Sequence, residues 1–493
     1  MPTETPKYEN IIQDEPEPIS VRILLSVDGY RRQFDALSDL IELAPHVTEL
    51  DSPKNSTASA KKLIPNLSRG QLRAFGEVTK KHFEDASNFD PRDYMRELVD
   101  RIGTDRIGVA FALRLNDTLN RTPRLPILFN SLVVTAVSTF EVQIARLATD
   151  FYHAHPEALD AGSSNFTLSD LKRLGSIEEA TGLAISRRVD SLLYGSFADW
   201  RRFFKEETNI DFSALAIDWN ATREIFQRRH TIVHNGGIAS RRYVNQVAGF
   251  LGDKAPQEGS PLRSDGEYVQ NALEELLTLG VLLTVSLGIK LHKRDAEHFI
   301  ILLNRIAYDA LVRRQWRVSE KMCSFGASIS TTSADKLIFQ VNRWIALSRL
   351  QGPGAVREEV LKWDISALAP RYQLAKSCLL EDMDDAFRIL ALLVETRDIE
   401  LQDLLEWPLL EHARSDPRFD LIVLSMREQK ENAKQSVSRF AITPRSKVLH
   451  ILPCPRSGRA SVEVTLEEAI EQGATPCKSC APILPTPTKE IYE

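Results

Sequence analysis

The chain has 493 residues, of which 43% are hydrophobic and 26% charged, and a net charge of −6. That length exceeds one ordinary core and implies roughly two to four domains. The acidic balance argues against a protein that coats polyanions over its whole surface, so any nucleic-acid contact must come from local basic patches. Five cysteines are too few and too clustered for a disulfide scaffold, and the N-terminus has no charged-then-apolar signal, which makes the cytoplasm the expected location. The longest apolar run, Leu276 to Ile289, is interrupted by Thr278, Gly280, Thr284, Ser286 and Gly288. It is shorter than the roughly 20 residues that span a bilayer, so it reads as a buried core helix and no membrane partner is expected.

In chain order, residues 1 to about 18 are acidic and proline-bearing with little to bury, the composition of a disordered lead. Ile19–Val27 suits a short strand or a helix nearly equally. Helical patterns follow at Arg31–Leu43, Arg69–Glu84 and Pro91–Ile102, with the polar stretch Asp51–Ala60 between them. Residues 1–117 form an N-terminal helical region of unknown role. From Pro123 the helical period strengthens. Leu125–Tyr152 keeps an apolar face around a lone central acid, Glu141, and ends near His155-Pro156, where proline discourages continuation. Shorter polar helices are expected at Ser169–Leu174, Ser176–Thr181, Ala184–Leu193 and Ala198–Glu207. Another helix starts near Asp218 and stops at Gly236-Gly237, because glycine accepts a positive φ without a Cβ clash. After a loop rich in Gly, Pro and charge (Gly252–Gly266), Tyr268–Leu291 supplies a further apolar face.

The helix from Asp218 ends in Arg228-Arg229-His230-Thr231-Ile232-Val233-His234-Asn235-Gly236-Gly237. Arg229 and His234 are separated by four residues, and His230 follows the arginine directly. This resembles the Arg-x(4–6)-His signature of the HEPN superfamily, over residues 118–297. The resemblance implies a compact helical bundle, a metal-independent endoribonuclease of a prokaryotic defence or toxin system, RNA as partner, and a homodimer formed through the bundle. It makes Arg229, His230 and His234 the catalytic candidates, supported by Glu141, Arg228 and Asn235, with no catalytic cofactor. A non-catalytic HEPN domain serving dimerisation and RNA or partner binding is the alternative.

The residue chemistry suits that reading. Cleaving RNA without metal requires a base for the ribose 2′-hydroxyl and an acid for the leaving 5′-oxygen, and histidine suits either role. A planar, always charged guanidinium can meet two oxygens of the phosphorane-like transition state. On a regular helix His230 and His234 lie about 40° apart, whereas Arg229 and His234 lie about 140° apart. Either the helix end is distorted at Asn235-Gly236, or motif copies of two chains converge. His234, in the last turn, is favoured as proton donor or charge stabiliser. His230 and His234 also have the spacing of a metal pair, but they lack the glutamate of a zincin helix. Arg187-Arg188, Arg201-Arg202, Arg223 and Arg241-Arg242 offer a local basic surface, or intrahelical ion pairs with Glu206, Glu207 and Glu224 in equal measure.

Residues 298–427 read as helix pairs, with Ala307–Trp316, Trp344–Gly352 and Tyr372–Asp382 each closing a run at a spacing that suits tetratricopeptide-like (TPR-like) repeats. Trp407-Pro408-Leu409-Leu410-Glu411 and Ser415-Asp416-Pro417-Arg418-Phe419 resemble the closing phrase of such arrays, and a repeat surface implies a protein partner. A polar linker, 428–445, precedes a module at 446–485. There His450-x3-Cys454 and Cys477-x2-Cys480 give four N/S ligands in two close pairs, the donor set of tetrahedral structural Zn²⁺, with a short helical stretch, Leu466–Glu471, between them. The phrase Gly473-x-x-Pro476-Cys477-Lys478-Ser479-Cys480 resembles the metal-binding domain of bacterial DNA methylphosphotriester repair proteins. Their methyl-accepting thiolate position holds His450 here, which removes methyl transfer and leaves zinc binding. Cys323 and Cys378 read as small buried hydrophobes. The expected fold class is mainly α: a HEPN-like bundle, TPR-like helical pairs and a small C-terminal zinc module.

Overall fold

The computed structural model describes residues 18–51, 62, 64–83, 90–103, 105–119, 122–159, 166–435, 439–452, 454–458, 461–464, 468–469 and 472–479. The acidic lead up to residue 17, most of Asp51–Ala60 and the ligand candidate Cys480 lie outside them. The protein is mainly α-helical, with twenty α-helices and one small sheet among the described residues. It divides into two compact units, residues 1–352 and 353–493.

The first unit contains α1 (Ile19–Ile41), α2 (Ala44–Leu50), α3 (Arg69–Phe83), α4 (Pro91–Ile102), α5 (Arg106–Leu119) and α6 (Arg124–Ala154). Next come α7 (Leu168–Leu174), α8 (Ile177–Leu193), α9 (Phe197–Glu206), α10 (Trp219–Asn235) and α11 (Arg241–Leu251), then α12 (Gly266–Leu291), α13 (Ala296–Val312), α14 (Trp316–Ile329) and α15 (Ser333–Gln351). At its centre is α12, where nearly every residue from Ala272 to Val285 is buried, as a helix apolar on all sides requires. Both α6 and α12 are long and apolar enough to cross a membrane by length and composition. In the structure they pack on each other and on α1.

The strand option for Ile19–Val27 is not realised. Ile23, Val27, Tyr30 and Phe34 are buried along one face of α1, the i, i+4, i+7 stripe of a helix rather than a two-residue alternation. Tyr30 donates to the Leu276 carbonyl at 2.5 Å, and its ring lies where a Cβ on Gly280 would stand. Thus α1 belongs to the central bundle, whereas α3, α4 and α5 close a separate small core around Val78, Tyr94, Leu98 and Phe111. The boundary at 117 therefore splits elements that pack together.

The boundary at 297/298 also moves. Phe299, Ile300, Leu303 and Phe339 share the hydrophobic core of the bundle, with the Phe299 ring filling the space beside Gly288 and the Phe339 ring that beside Gly326. A cut at 298 would expose these rings, so α13, α14 and α15 belong with the bundle. The stretches expected as separate helices at Ser176–Thr181 and Ala184–Leu193 join in the single helix α8.

The second unit has α16 (Gly354–Lys362), α17 (Pro370–Leu379), α18 (Met383–Glu395), α19 (Leu401–Glu406) and α20 (Arg418–Gln435). Sequential helices pack on one another: α17 on α16 and α18, and α20 on α18 and α19. Arg414 donates to the carbonyls of Leu404 and Trp407 at 3.0 and 2.7 Å, fixing the Trp407-Pro408 turn. The linker placed at 428–445 is largely regular structure, because its Glu, Lys and Gln residues are good helix formers and extend α20 to Gln435. A strand then starts at Arg439. β1 (Arg439–Thr443), β2 (Val448–Leu452), β3 (Val462–Val464) and β4 (Thr475–Pro476) form a sheet in the order β3-β1-β2-β4. β1 is antiparallel to β2 and to β3, and β4 runs parallel to β2. The C-terminal module thus has a small sheet as its frame and begins earlier than residue 446.

Candidate functional site

The helix carrying the motif, α10, is defined at both ends by its sequence. Asp218 caps it by accepting from the backbone N–H groups of Asn220 and Ala221 at 3.0 Å, satisfying donors that the first turn leaves unpaired. Gly236 terminates it in the left-handed conformation, φ 59°, and Gly237 N–H returns to the Thr231 carbonyl at 3.1 Å. The helix is continuous through Asn235, so no distortion brings Arg229 round to His234. The angular separation expected of a regular helix stands.

His230 and His234 are both exposed, and their rings meet with centroids 4.5 Å apart. Arg229 points instead to α6, where it contacts Glu141 Oε2 at 3.2 Å with both side chains about 29% and 28% exposed. Its Nε is buried with no hydrogen-bond partner among the described residues, so the guanidinium is only partly satisfied. Burial raises the Glu141 carboxyl above the ordinary glutamate value, and the charge of Arg229 opposes that rise. Partial desolvation of the exposed His230 ring is the first cause disfavouring its imidazolium, and the neighbouring His234 and the charges of Arg242 and Arg229 add to it, so its pKa is lowered. Asn235 is the exposed last residue of the helix.

Arg228 faces the other way. Its Nε donates to Glu224 at 2.7 Å, one of its terminal nitrogens donates to the Arg263 carbonyl at 2.9 Å, and its guanidinium lies 3.9 Å from the centroid of the Tyr268 ring. Glu224 is buried and also accepts from the hydroxyls of Tyr243 and Tyr268. The supporting candidate Arg228 is therefore engaged in a buried network behind the motif. Sequence reasoning identified Glu224 as an ion-pair partner but missed the two tyrosines, which come from α11 and α12 and are brought in only by the tertiary fold.

The remaining arginines divide between the two readings open to them. Arg188 pairs with Glu207 at 2.7 Å and donates to the Tyr152 hydroxyl, and Arg202 pairs with Asp199. Arg187, Arg201 and Arg223 lie over Phe166, Trp219 and Phe250, with centroid distances of 5.3, 5.4 and 5.3 Å. Arg241 and Arg242 are exposed and form no ion pair among the described residues. Of these, Arg242 bears on the motif through His230, a proximity that spacing along the chain does not reveal.

In the second unit, β2 and the turns after β2 and β4 bring His450, Cys454 and Cys477 together, with one donor atom from each within 4.8 Å of the others. All three are buried, and His450 Nδ1 has no hydrogen-bond partner among the described residues. The sulfurs of Cys454 and Cys477 are 3.9 Å apart, well beyond the ~2.05 Å of a disulfide, and Arg456 N–H donates to Cys454 Sγ at 3.4 Å. Two soft sulfurs, an orphaned imidazole nitrogen and a backbone donor to sulfur fit a tetrahedral thiolate-imidazole metal site. By contrast Cys323 and Cys378 are buried in helices, where desolvation pushes both thiols up to about 12.

Comparison of the chain with protein-family models, with curated proteins and with solved structures gave no match. Fold and site together define a mainly α-helical protein with a surface histidine pair beside arginines and a possible metal-binding group near its C-terminus.

Proposed function

We propose that the protein is a metal-independent endoribonuclease of HEPN type. The observation that supports this best is the meeting of the His230 and His234 rings at the end of α10 beside Arg229, whose guanidinium is incompletely satisfied. In the reaction the ribose 2′-oxygen attacks phosphorus while His230, whose imidazolium is disfavoured by partial desolvation and neighbouring cations, takes its proton. The phosphorus–O5′ bond breaks, and His234 protonates the departing 5′-oxygen. The products are a 2′,3′-cyclic phosphate and a 5′-hydroxyl. Arg229 neutralises charge on the non-bridging oxygens. Because Arg229 and His234 diverge on an undistorted helix, the complete site takes groups from two chains, which makes a homodimer the working form.

Incubating the full chain with mixed RNA in EDTA tests this. Fragments with 2′,3′-cyclic ends are expected, and Arg229→Ala or His234→Ala lowers the rate by on the order of 10²–10⁴ with the helical circular dichroism retained. Unchanged cleavage by either variant overturns the assignment. The pairing of Arg229 with Glu141 favours one rival, a non-catalytic HEPN domain that holds RNA or a partner; RNA binding without fragments is its signature. We also infer that His450, Cys454 and Cys477, with Cys480, hold a structural Zn²⁺, which would tie β2 to the turn after β4. The helix pairs of the second unit are proposed to be TPR-like and to present a protein-binding surface.

A further inference from the structure

The strand register of the C-terminal sheet brings two hydroxyls to the ring of His450. Ala441 faces His450 and Thr443 faces Val448 across β1 and β2, so these four side chains share one face and Thr443 is the diagonal neighbour of His450. The pairing of β1 with β3, from Phe440 with Val464 to Ile442 with Val462, continues to set Ser461 opposite Thr443. Accordingly Thr443 Oγ1 lies 3.3 Å from His450 Nε2 and 3.2 Å from Ser461 Oγ. Thr443 is fixed at the end of its strand, where its carbonyl accepts from the N–H groups of Ser446 and Lys447 at 3.2 and 2.8 Å. The other ring nitrogen, Nδ1, is buried and has no hydrogen-bond partner among the described residues. Cys477, held beside β2 by its N–H to the Leu449 carbonyl at 2.9 Å, and Cys454 bring their sulfurs within 4.8 Å of a ring nitrogen of His450.

We propose that Thr443 is a positioning residue of the metal site: its hydroxyl accepts the Nε2–H of His450, so that Nδ1 is the nitrogen that binds zinc. The inference rests on the zinc reading of His450, Cys454 and Cys477. A neutral imidazole carries one N–H and one lone pair, so the nitrogen that binds metal fixes the proton on the other. With zinc on Nδ1, the Nε2–H meets Thr443 Oγ1, and the Thr443 hydroxyl gives its own hydrogen to Ser461 Oγ. With zinc on Nε2, the buried Nδ1–H would have no acceptor among the described residues, the costly state of a stranded donor. Thr443 thus does for this ring what an outer-shell acceptor does for a metal-bound histidine in general, holding its orientation and its proton.

Two measurements on the full chain test this. The first replaces zinc by ¹¹³Cd and records which ring protons of His450 couple to the metal. Nδ1 adjoins only one hydrogen-bearing ring carbon, Cε1, whereas Nε2 lies between Cε1 and Cδ2, so coupling to Hε1 without coupling to Hδ2 is expected. The second measures zinc affinity by competition with a chromophoric chelator. Thr443→Val, which keeps the side-chain shape and removes the acceptor, is expected to weaken zinc binding by about 10- to 100-fold, while Thr443→Ser, which restores a hydroxyl, binds as the parent does. Coupling to both ring protons, zinc bound by Thr443→Val as tightly as by the parent, or Thr443→Ser as weak as Thr443→Val overturns the role of Thr443 and leaves the zinc site standing. A full chain that takes up no zinc, or bound ¹¹³Cd that couples to neither ring proton of His450, overturns the zinc reading and this inference with it.

Discussion

His230 sits in a field of one sign. Partial desolvation of the exposed ring comes first, and the neighbouring His234 and the charges of Arg242 and Arg229 then act together to disfavour its imidazolium. The neutral form of the ring, the form able to accept a proton, is therefore favoured. Removing one cation relieves part of that cost, so Arg242→Ala raises the His230 pKa toward the ordinary ~6.5. The sign carries to catalysis: activity that needs neutral His230 rises with pH through its pKa, and the acidic limb of the pH–rate profile moves to higher pH in the variant. NMR titration of the His230 ring proton reads the same shift without activity; an unmoved titration shows that Arg242 does not act on the ring. Glu224 is governed by a different balance. It is buried with Arg228, Tyr243 and Tyr268 as donors, so Glu224→Ala leaves a guanidinium and two hydroxyls without their acceptor. A loss on the order of 3 kcal/mol is expected, since removing one partner strands the other charge. Denaturant titration checks this, and a loss under about 0.5 kcal/mol, the level of an ordinary surface change, contradicts it.

Among the elements, α1 and α12 show how close packing decides what belongs to the bundle. A Cβ on Gly280 would overlap the ring and hydroxyl of Tyr30, and Tyr30 is itself tied to Leu276. Gly280→Ala therefore forces the ring outward and costs about 1–3 kcal/mol, the usual range for overpacking. Tyr30→Phe, which only removes the hydroxyl, costs about 1 kcal/mol. Thermal melts distinguish the two, and an alanine variant as stable as the parent shows that α1 is not held there. The same packing explains which elements were legible in the sequence. Leu125–Tyr152 and the helix from Asp218 to Gly236 could be read because periodicity, an Asp cap and a Gly stop are local signals. The membership of α1 was not legible, because its partners lie about a hundred and two hundred and fifty residues away, nor was the Glu224 network, whose tyrosines come from two later helices. The four strands escaped because runs of two to five residues carry too little alternation to distinguish from loop.

For the whole molecule, the division after Gly352 separates the two candidate chemistries. The hydrophobic core containing α6, α10 and α12 draws its buried residues from Ile23 to Phe339, so residues 1–352 hold a closed core together with Glu141, Arg229, His230 and His234. The possible metal ligands all lie beyond it. A chain ending at Gly352 is therefore expected to melt cooperatively, to keep its helical circular dichroism, to show the depressed His230 titration and to contain no stoichiometric zinc. The full chain is expected to carry one zinc per molecule, and Cys454→Ser or Cys477→Ser to lose it, because removing one thiolate from a four-ligand site leaves too few donors. If the histidine chemistry belongs to the first unit alone, chelation releases zinc from the full chain while RNA cleavage by both chains continues at the same rate. Metal analysis and cleavage rates measured side by side decide the matter: zinc retained by the shortened chain, or cleavage that stops on chelation, contradicts the separation.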